Sequence, residues 1–125
     1  MKKKIHIIEN DDEIKNVVAF ILEAAGYEVG SCKYDPNELS DIVCDLILLD
    51  EWINQREGHL LCRDIKAVQK LAHIPVIIFS TATDIEEIVK TCGADGFVRK
   101  PFDLDGLLHE VERCLPLKGM AQLTL

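Results

Sequence analysis

Asp50 closes the run Asp45-Leu46-Ile47-Leu48-Leu49-Asp50 and so sets a carboxylate at the end of a segment apolar enough to be a buried strand. Three other apolar runs also end in reactive groups. Residues 5–8 lead into Glu9-Asn10-Asp11-Asp12-Glu13, residues 76–79 into Ser80-Thr81, and a short strand over 96–99 ends in Arg99-Lys100-Pro101. In an open parallel sheet the carboxyl ends of the strands share one edge, so these four termini would meet in a single crevice. Acids, a hydroxyl and an ammonium at one edge suit a magnesium-assisted phosphoryl site.

The elements that must position these groups alternate along the chain. After the strand over 5–8, Ile14, Val17, Val18, Ile21, Leu22 and Ala25 recur at helical spacing, with Gly26 as the stop. Residues 27–32 alternate as a strand, 36–42 predict a short helix, and 45–49 form the central strand. Leu61, Ile65, Val68 and Leu71 trace the next helical face, and Pro75 opens the following strand, a position proline tolerates. Ile85, Ile88, Val89 and Cys92 mark a fourth helix stopped by Gly93, and Leu104, Leu107, Leu108 and Val111 a fifth after the strand over 96–99. Five strands alternating with five helices predict an α/β fold, a doubly wound five-stranded parallel sheet in the order 2-1-3-4-5. One domain is expected over residues 1–115. Residues 116–125 begin with a proline and show no period, so they read as a C-terminal tail or linker stub.

Composition excludes several classes. The 125 residues carry a formal charge of −8 with no basic stretch beyond Lys2 to Lys4, so direct nucleic-acid binding is not expected. No apolar run approaches the ~20 residues that cross a bilayer, and no signal peptide is evident, so a cytoplasmic protein without membrane contact is expected. Cys32, Cys44, Cys62, Cys92 and Cys114 form no C-x-x-C pair and read as small hydrophobes kept reduced. His6, His59, His73 and His109 lack metal-ligand pair spacing.

From about Lys3 to Leu115 the chain resembles the receiver domain of two-component response regulators, the CheY-like superfamily with a flavodoxin-like fold. The resemblance rests on Glu9-Asn10-Asp11 after strand one, Asp50 with Gly58 eight residues on, Ser80-Thr81 after strand four, and the segment Gly-Ala-Asp-Gly-Phe-Val-Arg-Lys-Pro-Phe that ends in Lys100-Pro101-Phe102. It implies that Asp50 accepts a phosphoryl group from a histidine kinase or phosphotransfer protein, with Lys100 pairing the incoming phosphate and the Ser80 hydroxyl turning to bind it. It further implies a magnesium ion held by Glu9, Asn10, Asp50 and the backbone carbonyl of Trp52. Ser80 and Phe97 would act as switch residues for a protein-binding surface on helix four, strand five and helix five, read by a downstream protein or effector domain. The domain would assist its own phosphorylation and dephosphorylation without being an enzyme acting on other molecules. A homodimer stays open to it, and the Lys100-Pro101 bond is often cis in the family.

The departures are specific. The family usually has two acids at positions 9 and 10, and here the second is the neutral Asn10, which removes one negative charge from the metal site. Asp11 is placed either to replace it or, with Asp12 and Glu13, to cap the first helix. Ile53-Asn54 stands where the family commonly has Met-Pro, and Trp52 and Ala82 flank the expected position of the hydrolytic water. The competing reading is a degenerate, phosphate-independent interaction module. A flavin or nucleotide carrier of similar architecture is disfavoured because no glycine-rich loop follows strand one.

Overall fold

The computed structural model describes residues 2–50, 52–53, 56–80, 85–100 and 103–115, with the backbone alone at 52–53, 56–59, 88 and 91. In chain order the elements are β1 (Lys4–Ile8), α1 (Asp12–Ala24), β2 (Glu28–Cys32), a 3-10 helix (Pro36–Asp41), β3 (Leu46–Asp50), β4 (Trp52–Ile53), β5 (Arg56–Glu57), α2 (Gly58–Ala67), β6 (Val76–Ser80), α3 (Ile85–Cys92), β7 (Gly96–Arg99) and α4 (Leu104–Cys114). The main sheet has five parallel strands in the order β2-β1-β3-β6-β7. This is the 2-1-3-4-5 order expected from the sequence. The expected helix four, strand five and helix five are α3, β7 and α4.

Alternation along the central strands splits the core into two layers. Leu46 and Leu48 of β3, with Ile77 and Phe79 of β6, face Val18 and Leu22 of α1 and Leu107 and Val111 of α4. Ile47, Leu49, Val76 and Ile78 face the opposite way, toward Leu61, Cys62 and Ile65 of α2 and Ile85 and Cys92 of α3. Burial on both faces explains why these strands read as continuous apolar runs. Gly26 and Gly93 follow α1 and α3 with φ of +101° and +81°, a left-handed stop that a side chain would strain.

The structure corrects four details of the sequence reading. Residues 36–42 are not an α-helix: Pro36–Asp41 is a 3-10 turn whose N-cap Asp35 accepts from the Asn37 amide, so the described residues hold four α-helices, not five. The second helical face outruns its helix, because α2 ends at Ala67 while Val68 and Leu71 still pack into the core from the following turn. Strand β6 begins at Val76, one residue after Pro75, whose missing N–H cannot join a ladder. The antiparallel pair β4–β5, with Trp52 opposite Glu57, was not anticipated.

The amino-terminal edge of the sheet is fastened by two aspartates. Asp45 accepts from the Lys4 amide at 2.8 Å while its own amide donates to the Lys4 carbonyl at 2.8 Å. Asp95 repeats the device one layer over, accepting from the Val76 amide at 2.8 Å and from Lys66 Nζ at 3.0 Å. The carboxyl-terminal edge, where the reactive residues emerge, is therefore positioned on strands anchored from below.

Candidate functional site

Register brings the four strand ends level. Ile8 pairs with Leu49 and with Cys32, Asp50 pairs with Phe79, and Ser80 with Arg99, so Glu9, Asp50, Ser80 and Lys100 all leave the sheet at one edge. Asp50 is the last residue of the fully buried β3 and is itself 8% exposed, with Glu9 at 3% and Ser80 at 1%. Lys100 closes the group. Its Nζ donates to Asp50 Oδ1 at 2.7 Å, its backbone N–H donates to the Ser80 carbonyl at 2.8 Å, and its ammonium lies 4.8 Å from the centre of the Phe79 ring. The backbone of Lys100 is thus tied to β6 while its charge rests on the Asp50 carboxylate.

Glu9 stands on the acidic side of this pair. Its Oε1 accepts from the Asp11 amide at 2.9 Å, while Oε2 is buried without a hydrogen-bond partner among the described residues. Burial pushes the Glu9 carboxyl above its ordinary range; the Asp11 amide opposes that shift, the neighbouring Asp50 carboxylate adds to it and Lys100 offsets it. The Glu9 and Asp50 carboxyl groups are near enough to act on each other, with Lys100 as the cation acting on both. The side-chain oxygen of Asn10, the residue after Glu9, is buried too and is a neutral oxygen that could serve as a ligand. An orphaned buried carboxylate oxygen, a second carboxylate and an amide oxygen form a hard-oxygen set that fits magnesium, which asks for a few protein oxygens and keeps several waters. Among the described residues no three His, Cys, Asp or Glu side chains gather on one point.

The remaining residues singled out from the sequence fall as follows. Asp11 turns away to cap α1, its Oδ1 accepting from the Glu13 amide at 2.9 Å and the Ile14 amide at 3.2 Å, with Asp12 and Glu13 in the first turn. Phe97 is half-buried against the α2–α3 layer, paired with Ile78, with the Arg99 guanidinium 5.3 Å from its ring centre. The backbone of Trp52 lies in β4, while its side chain, Asn54, Thr81, Ala82, Pro101 with its peptide bond, and residues 116–125 lie outside the described residues. Phe79 was not singled out as a site residue. The signal was its place beside Asp50 in the sheet, one residue before Ser80.

An open parallel sheet in this order, with an aspartate–lysine pair and a buried acid at its carboxyl edge, defines a response regulator receiver domain. The chain belongs to that family, whose model matches residues 5–112. It is similar to a signal receiver domain of a signal transduction histidine kinase from Syntrophus aciditrophicus, at 32% identity over 90% of this chain and 89% of that one, with a TM-score of 0.77. The chemotaxis response regulator CheY4 of Vibrio cholerae shares the fold at 23% identity, over 92% of this chain and 100% of that one, with a TM-score of 0.82. The receiver domain of the sensor histidine kinase PA1611 from Pseudomonas aeruginosa PAO1 superposes with a TM-score of 0.76 at 21% identity, covering 91% and 98% of the two chains. Its structure has magnesium coordinated in the active-site cleft.

Proposed function

We propose that the domain is a phosphorylation switch that takes a phosphoryl group on Asp50 from the phosphohistidine of a kinase or phosphotransfer protein. The observation that carries this reading is the 2.7 Å pair between Lys100 Nζ and Asp50 Oδ1 at the carboxyl edge, with Glu9 buried beside it. A carboxylate oxygen of Asp50 attacks phosphorus, the P–N bond to the donor imidazole breaks, and an acyl phosphate remains. Both reactants are anionic, so the step needs positive charge at the site. Lys100 is held where it can transfer its contact from the carboxylate to the new phosphoryl oxygens as a compact point charge. Magnesium, held by Glu9, Asn10, Asp50 and the Trp52 carbonyl, would supply further charge neutralisation when bound.

In this reading the hydroxyl of Ser80 answers the new phosphoryl group and Phe97 switches with it; the burial of Ser80 at the end of β6 and the position of Phe97 on the adjacent β7 support this. The output is a changed protein-binding surface on α3, β7 and α4, read by a downstream protein or effector domain. In this reading residues 1–115 are the receiver, 116–125 are a tail or linker stub, and the domain acts in the cytoplasm; no helix of the described residues is long and apolar enough to cross a membrane. Asn10 is the one feature that favours the phosphate-independent alternative. The retained Asp50–Lys100 pair weighs against it.

The test is intact mass after incubation with a small phosphodonor such as acetyl phosphate, with and without magnesium. The expected result is one magnesium-dependent phosphoryl adduct in the wild type and none in Asp50→Asn. An adduct of equal yield on Asp50→Asn would overturn the assignment, and no adduct on either protein would favour the phosphate-independent module.

A further inference from the structure

Away from the phosphoryl edge, the pairing of β1 with β2 sets His6 opposite Gly30, two residues before Cys32. Gly30 leaves the imidazole room to lie along β2, since a Cβ there would stand 3.2 Å from His6 Nδ1. The other ring nitrogen, Nε2, lies 3.1 Å from Cys32 Sγ. Both side chains line an open cavity of ≈ 460 Å³ that also receives Lys4 and the carboxylate residues Glu38 and Asp41 around the 3-10 helix. Sequence spacing could not show this pair, because its two members sit 26 residues apart and meet through strand register.

We propose that His6 and Cys32 are two ligands of a site for a thiophilic divalent cation of the zinc type, with Glu38 as the third ligand and water completing the shell. In a tetrahedral zinc site, Zn–S of ~2.3 Å and Zn–N of ~2.0–2.1 Å put the two donor atoms ~3.5 Å apart. The pair therefore needs to part by a few tenths of an ångström to take a metal between its donors. Thiolate and imidazole select a soft or borderline ion over magnesium, so the site is chemically separate from the oxygen set around Asp50. His6 suits the role because burial, aided by Lys4, lowers its pKa and keeps the ring neutral. Cys32 is half-buried at the cavity wall; burial first, then Glu38 and Asp35, raises its pKa, so the thiol proton leaves to solvent only as the metal–sulfur bond forms.

Among the described residues no group of three such ligands already converges, so the site is a preset pair that must recruit its third member. Glu38 is exposed on the 3-10 helix and is the carboxylate whose field acts most on Cys32, followed by Asp35. Lys4 at the cavity and Lys15, which acts on Cys32, oppose cation binding there but are outnumbered by Glu38, Asp41 and Asp35.

Cobalt(II), a spectroscopic stand-in for zinc, tests the proposal on the full chain under a non-thiol reductant with magnesium in excess. The expected result is one equivalent bound, with tetrahedral d–d bands and a thiolate-to-cobalt charge-transfer band, which oxygen ligands at the Asp50 edge cannot produce. Zinc should displace the cobalt. Cys32→Ser should abolish the charge-transfer band, His6→Asn should weaken cobalt binding by about tenfold or more, and Glu38→Gln by less. No charge-transfer band in the wild type overturns the site, as does a band unchanged in Cys32→Ser, which would place the metal on another cysteine. Affinity in Glu38→Gln equal to the wild type overturns Glu38 as the third ligand. Far-UV circular dichroism checks the fold of each variant, and Cys32→Ala serves as a second thiol deletion should Cys32→Ser misfold.

Discussion

Lys100 makes three different contacts from one side chain and its own amide, to Asp50, to Phe79 and to the Ser80 carbonyl. Truncation to Ala keeps the backbone bond between β6 and the end of β7 and deletes the charge. Lys100→Ala is therefore expected to stay folded while its rate of phosphorylation by acetyl phosphate falls on the order of 10²-fold, the scale of losing one preorganised electrostatic contact. Unchanged single-turnover kinetics would rule out the counter-charge role. Asn10→Asp should tighten magnesium. A new unit charge at ~4 Å adds ~4 kcal/mol of attraction per unit of metal charge at an effective dielectric of ~20. Repulsion from Glu9 and Asp50 and the cost of desolvation remove most of this. The expected net gain is on the order of tenfold in affinity, ~1.4 kcal/mol, read by calorimetric titration. Equal affinities would show that the amide oxygen already serves as well as a carboxylate. Glu9, Asp50, Ser80 and Lys100 were legible in the sequence because each is polar at the end of an apolar run. The direction of Asp11 was not, because the same residue type serves a cap or a metal, and only its bonds to the Glu13 and Ile14 amides separate the two.

At the scale of elements, the strands and the two glycine-stopped helices were readable because their apolar periods and stops agree. The errors lie where period alone decides. Val68 and Leu71 continue the phase of α2 beyond its last turn, since a turn can bury the same side chains as a helix. The β4–β5 pair is too short to show a period at all. Two polar groups, one buried and one half-buried, give tests of how the elements pack. Tyr27, between α1 and β2, is 2% exposed, and its hydroxyl finds no hydrogen-bond partner among the described residues; burial raises its pKa, with Glu112 adding to the rise. Because an unsatisfied buried hydroxyl costs more than it returns, Tyr27→Phe should raise stability by about 1 kcal/mol in urea denaturation. A loss of that size would reveal a hydrogen bond to water inside the core. His6 on β1 has its pKa lowered by burial first and Lys4 second. Between that lowered value and 6.5 the unfolded chain binds a proton that the native chain does not, so stability rises with pH across this window. Below 6.5 the contribution is progressively lost as pH falls. In metal-free buffer, the wild type should lose more stability than His6→Asn on going from neutral pH to pH ~5. Parallel pH profiles would mean that the ring titrates alike in both states.

For the molecule as a whole, Asp95 is the clearest single fastening, since one carboxylate oxygen receives both the Val76 amide and the Lys66 ammonium and so joins β6, β7 and α2. Asp95→Ala removes two charge-assisted bonds and strands an amide. The expected loss is about 2–3 kcal/mol at an unchanged urea m-value, without loss of the phosphoryl adduct on Asp50. A smaller loss would mean that water replaces the carboxylate cheaply. The fastening role of Asp95 and Asp45 was not legible in the sequence, because an aspartate before a strand resembles any turn residue until register shows which amide it meets. Their position has a further consequence for how the native state opens. With both fastenings at the amino-terminal edge, amide hydrogens there should exchange with deuterium only through global unfolding, while those at the carboxyl-terminal edge exchange through smaller openings. The slowest set should include the amides of Lys4 and Val76, and protection should decline along the central strands β1, β3 and β6 toward Glu9, Asp50 and Ser80. A protein closed at one end and yielding at the other keeps its fold while the reactive end breathes, so a phosphodonor can enter without the cost of unfolding the sheet.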